Sequence, residues 1–148
     1  MKRILYISNI EVPYRAEFFT RLSERCDLTV VYEGSNEERD STWASSGNSE
    51  YRKIFIDRKS RFIGKLRELL TMAGKDWDLV IIGCYSTPLQ ILTAKYLKIT
   101  GRKYVVNLDG EAFISKGFKS MVKRFVLRGA DGYLTAGKHS AESLREAI

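Results

Sequence analysis

Apolar and polar positions along this chain switch repeatedly between short strand-like runs and longer stripes with a helical period. Ile4-Leu5-Tyr6-Ile7 predicts a first strand. A loop through Pro13 follows, then a helix over about Arg15 to Arg25 with Phe18, Phe19 and Leu22 facing inward. Leu28 to Tyr32 predicts a second strand and Ile54 to Ile56 a short third. Between them Glu33 to Glu50 is polar and rich in Ser, Asn and Gly, the composition of a long exposed loop. Phe62, Ile63, Leu66, Leu69, Leu70 and Ala73 keep a helical period, with Ser60 placed to cap it and Gly74 to stop it. Leu79 to Ile82 predicts another buried strand. Thr87-Pro88-Leu89-Gln90 then reads as a capping box with proline at the first helical position, opening a helix to about Ile99. A strand at Tyr104 to Leu108, a helix over about Lys116 to Arg128, a short strand at Tyr133-Leu134 and a helix from near Lys138 complete the pattern.

This alternation predicts an α/β fold with a doubly wound, mainly parallel sheet and helices on both faces. The 148 residues are expected to form a single domain, 1–148, large enough for a real core. The loops leaving the strands (Ser8 to Arg15, Gly83 to Thr87, Asp109 to Ser115, Ala136 to Lys138) then share one sheet edge, where open α/β sheets bind ligands.

Composition narrows the class. A hydrophobic content of 44% fits a globular protein rather than a disordered one. Cys26 and Cys84 have no metal-binding spacing, which suggests a reduced, cytoplasmic setting. No apolar stretch reaches the roughly 18 residues needed to cross a bilayer. Met1 to Ile10 imitates a signal peptide, but Ser8 and Asn9 interrupt its apolar run, and a strand is the better reading. The net charge of +7 favours polyanionic partners without choosing among them.

Several chemistries are set aside. Asp76-Trp77-Asp78 has the Asp-x-Asp form of some metal and nucleotide-sugar sites, but it precedes a strand and so lies on the opposite edge; no metal site is expected. His139, the single histidine, has no partner that would make a catalytic set and fits a helix-start or surface role. No Walker loop is present and no Gly-x-Gly-x-x-Gly follows the first strand, which argues against a dinucleotide-binding dehydrogenase.

Two features remain. The first is the rim. Asp109-Gly110-Glu111 stands directly behind a buried-looking strand, and Asn9, Glu11, Tyr14 and Arg15 follow the first strand, with Tyr85 after the fourth. Asp109 and Glu111 suit ligand hydroxyls; the alternative is that a carboxylate here caps a helix or bonds loop amides. Tyr14 and Arg15 suit a sugar ring and a phosphate, or else pin the loop. The second is Lys116 to Arg128. Phe118, Met121, Val122, Phe125 and Val126 form a stripe expected to face the sheet, with Lys116, Lys119, Lys123 and Arg124 on the other side, Arg128 near the boundary, and no acid between them. The basic side is either a solvated back or a contact for anionic lipid. At about 1 kcal/mol per cation, five cations give at most roughly 5 kcal/mol, enough for reversible docking but not for insertion. Arg58, Lys59, Arg61, Lys65 and Arg67 form a second basic cluster.

Taken in order, Lys2 to Phe19 with its Pro13-Tyr14-Arg15 and Phe18-Phe19, Leu28 to Glu33, Trp77 to Gly83, Asp109-Gly110, the basic helix and Gly129 to Gly137 resemble the amino-terminal domain of family 4 glycosyltransferases of the GT-B fold. The likeness runs over essentially the whole chain; each motif is loose alone, and their order and spacing carry it. It implies a Rossmann-like half of a two-domain, retaining enzyme that moves sugar from a nucleotide-sugar donor to a glycan or lipid-linked acceptor in bacterial surface polysaccharide synthesis. This half would hold the acceptor. The carboxyl-terminal donor domain, with its Glu-x7-Glu motif, is absent from this chain, so 148 residues alone are expected to be inactive. On this reading Asp109 is the candidate catalytic residue. Asn9, Glu11, Tyr14, Arg15, Tyr85, Gly110 and Glu111 bind acceptor, and Lys116, Lys119, Lys123, Arg124 and Arg128 face the inner side of the cytoplasmic membrane. No cofactor beyond the donor substrate and no nucleic acid partner is expected. Two departures stand out: Asp109 occupies the place of a histidine common in the family, and the glycine pair common in the first loop is missing. The rival readings are a subunit of a split, two-chain glycosyltransferase and a non-catalytic Rossmann-like module binding an anionic ligand or nucleic acid.

Overall fold

A computed structural model describes residues 1–34, 50–56, 59–85, 87–109 and 117–148. Six strands and five helices alternate: β1 (Arg3–Ser8), α1 (Pro13–Ser23), β2 (Asp27–Tyr32), β3 (Arg52–Phe55), α2 (Phe62–Ala73), β4 (Leu79–Ile82), α3 (Pro88–Ile99), β5 (Tyr104–Leu108), α4 (Phe118–Gly129), β6 (Gly132–Thr135) and α5 (Lys138–Ala147). The strands form one sheet in the order β3-β2-β1-β4-β5-β6, and every pairing is parallel. The chain winds outward from β1 to β3, crosses back, and winds the other way from β4 to β6. The reversal falls between β1 and β4, which places the binding crevice of such a sheet at their carboxyl ends.

Close approach at that reversal requires a glycine. The Gly83 amide donates to the Ile7 carbonyl at 2.8 Å. A Cβ there would sit 2.6 Å from Tyr6 Cε1 and 2.7 Å from the Ile7 carbonyl oxygen.

The two faces of the sheet are covered unequally. On one, Leu5, Ile7, Val80, Ile82, Tyr104 and Val106 pack against Leu69 and Ala73 of α2, Leu97 of α3, Leu127 of α4 and Leu144 of α5. On the other, Tyr6, Leu28, Val30 and Tyr32 pack against Phe19 of α1, with Ile81 at the margin. Phe19 is fully buried, its ring edge-on to Tyr6 at 4.7 Å and to Tyr51 at 5.5 Å. Parallel sheets are ordinarily covered on both faces. Here α1 is the one described helix on its side, so β4, β5 and β6 keep an open flank.

Helix ends follow their caps. Proline at the first position opens both α1 and α3, which moves the start of α1 two residues ahead of the expected Arg15. Thr87 accepts from the Gln90 amide, whereas the Gln90 side chain takes the Cys84 amide at 2.8 Å instead of completing the capping box. The expected Ser60 cap is not observed: α2 begins at Phe62 with Arg61 in the N-cap position and no side-chain cap bond.

The largest correction concerns α4. Its buried residues are Ser120, Val126 and Leu127, so of the expected stripe only Val126 is buried, with Val122 half-buried. Phe118, Met121 and Phe125 are turned to solvent, with exposures of 76%, 61% and 56%. Phe18, Phe62 and Ile63 are likewise exposed where the periodic pattern placed them inward. Periodicity finds an apolar face but does not say which partner covers it, and on α4 the sheet takes the neighbouring face.

Candidate ligand-binding rim

The carboxyl ends of β1, β4 and β5 lie side by side, so Asn9, Tyr85 and Asp109 follow adjacent strands on one edge, as expected. Gly110, Glu111 and Lys116, with Arg58, fall outside the described residues.

Side chains from that edge separate into three groups. The first is a polar chain on the α1 side. Arg15 donates from Nε to Asp109 Oδ2 at 2.8 Å and from Nη2 to the same oxygen. Its Nη1 donates to Ser8 Oγ at 3.0 Å. Asn107 Nδ2 donates to Asp109 Oδ1 at 3.1 Å and to the Tyr6 hydroxyl oxygen at 2.6 Å. Burial raises the Tyr6 pKa, and the Asn107 hydrogen bond offsets part of that rise. Tyr6 therefore stays a neutral phenol holding Asn107. The Arg15 side chain is 13% exposed and that of Asp109 is 35% exposed, so the pair sits half in solvent with both carboxylate oxygens already accepting. Asp109 is thus an anchored acceptor with lone pairs left toward the cleft, not an isolated base.

This chain borders a groove of about 560 Å³ on the open flank of the sheet, lined by Tyr14, Arg15, Phe18, Leu22, Ile81, Asn107, Asp109, Leu134, Thr135 and Ala136. Its floor is apolar and its upper margin carries the Arg15, Asp109 and Asn107 polar atoms. Tyr14 is 65% exposed with its ring beside the Arg15 guanidinium, 5.9 Å from the ring centroid. An exposed aromatic face, an apolar floor and a fixed donor-acceptor row form a surface that suits a sugar ring, whose C–H face stacks while its hydroxyls bond sideways.

The second group faces away. Glu11 pairs with Lys53 of β3, both nearly buried, and Lys53 lies over the Tyr51 ring. Glu11 was expected to bind ligand; it is tied to the β3 side instead. Asn9 Oδ1 accepts from the Ile10 amide at 2.9 Å, which shapes the loop. The third group stands at the start of α3. Tyr85 is half-buried, and Lys123 of α4 reaches over its ring at 5.7 Å. Lys123 therefore turns toward the rim, unlike the outward position expected of it.

Glu33, at the end of β2, was read only as the start of a loop. Thr87 Oγ1 donates to Glu33 Oε1 at 2.8 Å, so the carboxylate lies at the amino end of α3. Burial raises its pKa, partly offset by the Thr87 hydrogen bond and by Lys65. A carboxyl raised on folding contributes stability that is fully present below its unfolded pKa and is lost as pH rises through its folded one. Glu33→Gln is therefore expected to raise the Tm at neutral pH more than near pH ~4, where the wild-type carboxyl is protonated. Equal shifts at both pH values in thermal unfolding contradict this.

At the opposite edge a groove of about 630 Å³ is lined by Lys2, Trp77, Asp78, Arg102 and Lys103 among others. Asp78 accepts from the Arg3 amide at 2.8 Å, and that bond holds its carboxyl below the usual range. Among the described residues no cluster of His, Cys, Asp or Glu is arranged to hold a metal. His139 is exposed in the first turn of α5. None of the described helices is long and apolar enough to cross a membrane.

Against known proteins, the chain matches no family model and no curated sequence. Its fold matches that of a solved structure, UDP-GlcNAc 2-epimerase from Methanocaldococcus jannaschii, with a TM-score of 0.59 at 12% identity. The match covers 100% of this chain and 43% of that one, so the chain spans under half the length of its structural neighbour. The fold is Rossmann-like, of the GT-B-like kind. At this identity the likeness is one of architecture alone.

Proposed function

We propose that this chain is the acceptor-binding half of a retaining glycosyltransferase related to family 4, taking sugar from a nucleotide-sugar donor and passing it to a glycan or lipid-linked acceptor. The observation that carries the reading is the groove, in which Arg15, Asp109 and Asn107 align polar atoms above an apolar floor beside the exposed Tyr14 ring. Asp109 accepts a hydrogen bond from an acceptor hydroxyl and orients it, Arg15 holds that carboxylate in place, and Tyr14 stacks on the ring. Glu111, behind Asp109 in sequence, is a second acceptor-binding candidate. The donor is held mainly by a second domain or partner chain that closes over the rim, and no further cofactor is required.

A second reading follows from the structural neighbour: the same rim belongs to half of an enzyme that remodels a nucleotide sugar without a glycan acceptor. Titration of the chain with a short glycan and, separately, with a UDP-sugar distinguishes the two. The acceptor-side reading expects the glycan to bind and the UDP-sugar to bind at least about tenfold more weakly, a difference of about 1.4 kcal/mol. Tight UDP-sugar binding with no glycan binding overturns it in favour of the second.

A further inference from the structure

The groove at the amino ends of the strands is as roomy as the one beside Arg15 and Asp109, and its chemistry differs. Ile4, Leu79 and Trp77 give it an apolar wall, and Lys2, Arg102 and Lys103 stand around that wall. A smaller groove of about 110 Å³ shares Gly101, Arg102 and Lys103 with it and adds Lys98 and Asp131. The two together set Lys2, Lys98, Arg102 and Lys103 against Asp78 and Asp131. Both carboxylates are already engaged by backbone amides, Asp78 by Arg3 at 2.8 Å and Asp131 by Tyr104 at 3.0 Å. In the rim groove, by contrast, Arg15 and Asp109 neutralise each other. Uncompensated positive charge therefore collects at the edge away from the rim.

Bonds between distant segments hold the walls in place. Arg102 donates from Nη1 to the Lys75 carbonyl at 2.8 Å, and the Trp77 indole donates to the Met72 carbonyl at 2.7 Å. Arg3 donates to the Asp76 carbonyl at 2.9 Å, its guanidinium 5.0 Å from the Trp77 ring centroid. Gly101, at a φ of 68°, makes the turn that delivers Arg102 and Lys103. A purely structural reading, in which these bonds only tie strand ends together, explains Arg3, Arg102 and the indole N–H. It leaves Lys98 and Lys103 unexplained: both are exposed, with no side-chain hydrogen bond or ion pair among the described residues. Cations bordering an apolar wall select an anion that also carries a ring, and the volume lies within the ordinary range for small-molecule sites.

We propose that this groove is a second ligand site, for a phosphorylated ring compound of the nucleoside diphosphate class. The ring lies against Ile4, Leu79 and Trp77, and the phosphates meet Arg102, Lys103 and Lys98. The site is separate from the rim and does not depend on which sugar chemistry the rim performs. A ligand there joins the starts of β1, β4 and β5, the strands whose other ends carry Asn9, Tyr85 and Asp109.

The test titrates the chain with adenosine diphosphate, adenosine and inorganic pyrophosphate, followed by NMR. An adenine nucleotide keeps this titration apart from the UDP-sugar experiment on the rim. Adenosine diphosphate is expected to shift Lys2, Trp77, Arg102 and Lys103 with a Kd below about 1 mM, and the two fragments to bind at least about tenfold more weakly. Lys103→Glu, at an exposed side chain, is expected to weaken the nucleotide at least about tenfold, whereas Asp109→Ala leaves its affinity unchanged. Four outcomes overturn the proposal. They are no shifts at this edge, pyrophosphate binding as tightly as the nucleotide, full affinity in Lys103→Glu, or a single-stranded oligonucleotide binding far more tightly than the nucleotide, which would mark a nucleic-acid surface.

Discussion

Gly83→Ala is expected to destabilise the protein by about 3 kcal/mol, the upper end of what overpacking by one carbon ordinarily costs. The new Cβ meets the Tyr6 ring at 2.6 Å and the Ile7 carbonyl oxygen at 2.7 Å. Neither can retreat. Tyr6 is fully buried against Phe19, and the Ile7 carbonyl is held by the Gly83 amide itself. Relief requires β1 and β4 to separate where the winding reverses, which would also pull Tyr6 from Asn107. Gly34→Ala is the control: among the described residues its Cβ would find neighbours no nearer than 3.7 Å, and it is expected to change stability by less than about 1 kcal/mol. Urea unfolding of both variants checks the contrast; similar midpoints would show that the strand junction has slack.

Replacing either Arg15 or Asp109 by alanine is expected to weaken glycan binding by at least tenfold, about 1.4 kcal/mol. The effect on stability is of the same order. The pair lies between fully exposed and fully buried, so a double-mutant cycle is expected to give a coupling of about 1 to 2 kcal/mol. Arg15→Lys is not expected to rescue binding, because an ammonium cannot donate from two nitrogens to the carboxylate while a third holds Ser8. If the ion pair merely pins the loop, Arg15→Ala and Asp109→Ala lose the coupling energy yet bind glycan as wild type does. Binding and stability thus separate the two readings of these residues that the sequence left open.

Local chemistry made the fold legible and hid part of the site. Strands β4 and β5 fall within their expected limits because a short apolar run between turn-forming residues has few other solutions. The strand order is not a local property, but alternation with connecting helices constrains it strongly enough to place one shared rim. What sequence spacing does not supply is direction. Glu11 and Arg15 lie four residues apart, yet one turns to Lys53 and the other to Asp109, 94 residues away. Asn107 was read as part of a buried strand; an amide inside an apolar run was the available signal that it needs a polar partner on the sheet face. Helix α4 went the other way, its stripe correctly found and assigned to the wrong neighbour. Arg124 and Arg128 share the solvent side with its apolar ridge while Lys123 turns to Tyr85, an arrangement that a two-sided helical pattern does not encode.

On the acceptor-side reading, the open flank beside Arg15 and Asp109 holds a glycan. Backbone and side-chain NMR of the chain titrated with a short oligosaccharide tests it most directly. Shifts are expected to be confined to Tyr14, Arg15, Asn107, Asp109 and Thr135 and to be lost in Asp109→Ala, while Asp78 at the far edge stays unchanged. Shifts centred on Asp78 and Trp77, or on α2 and α3 with the groove silent, would contradict it.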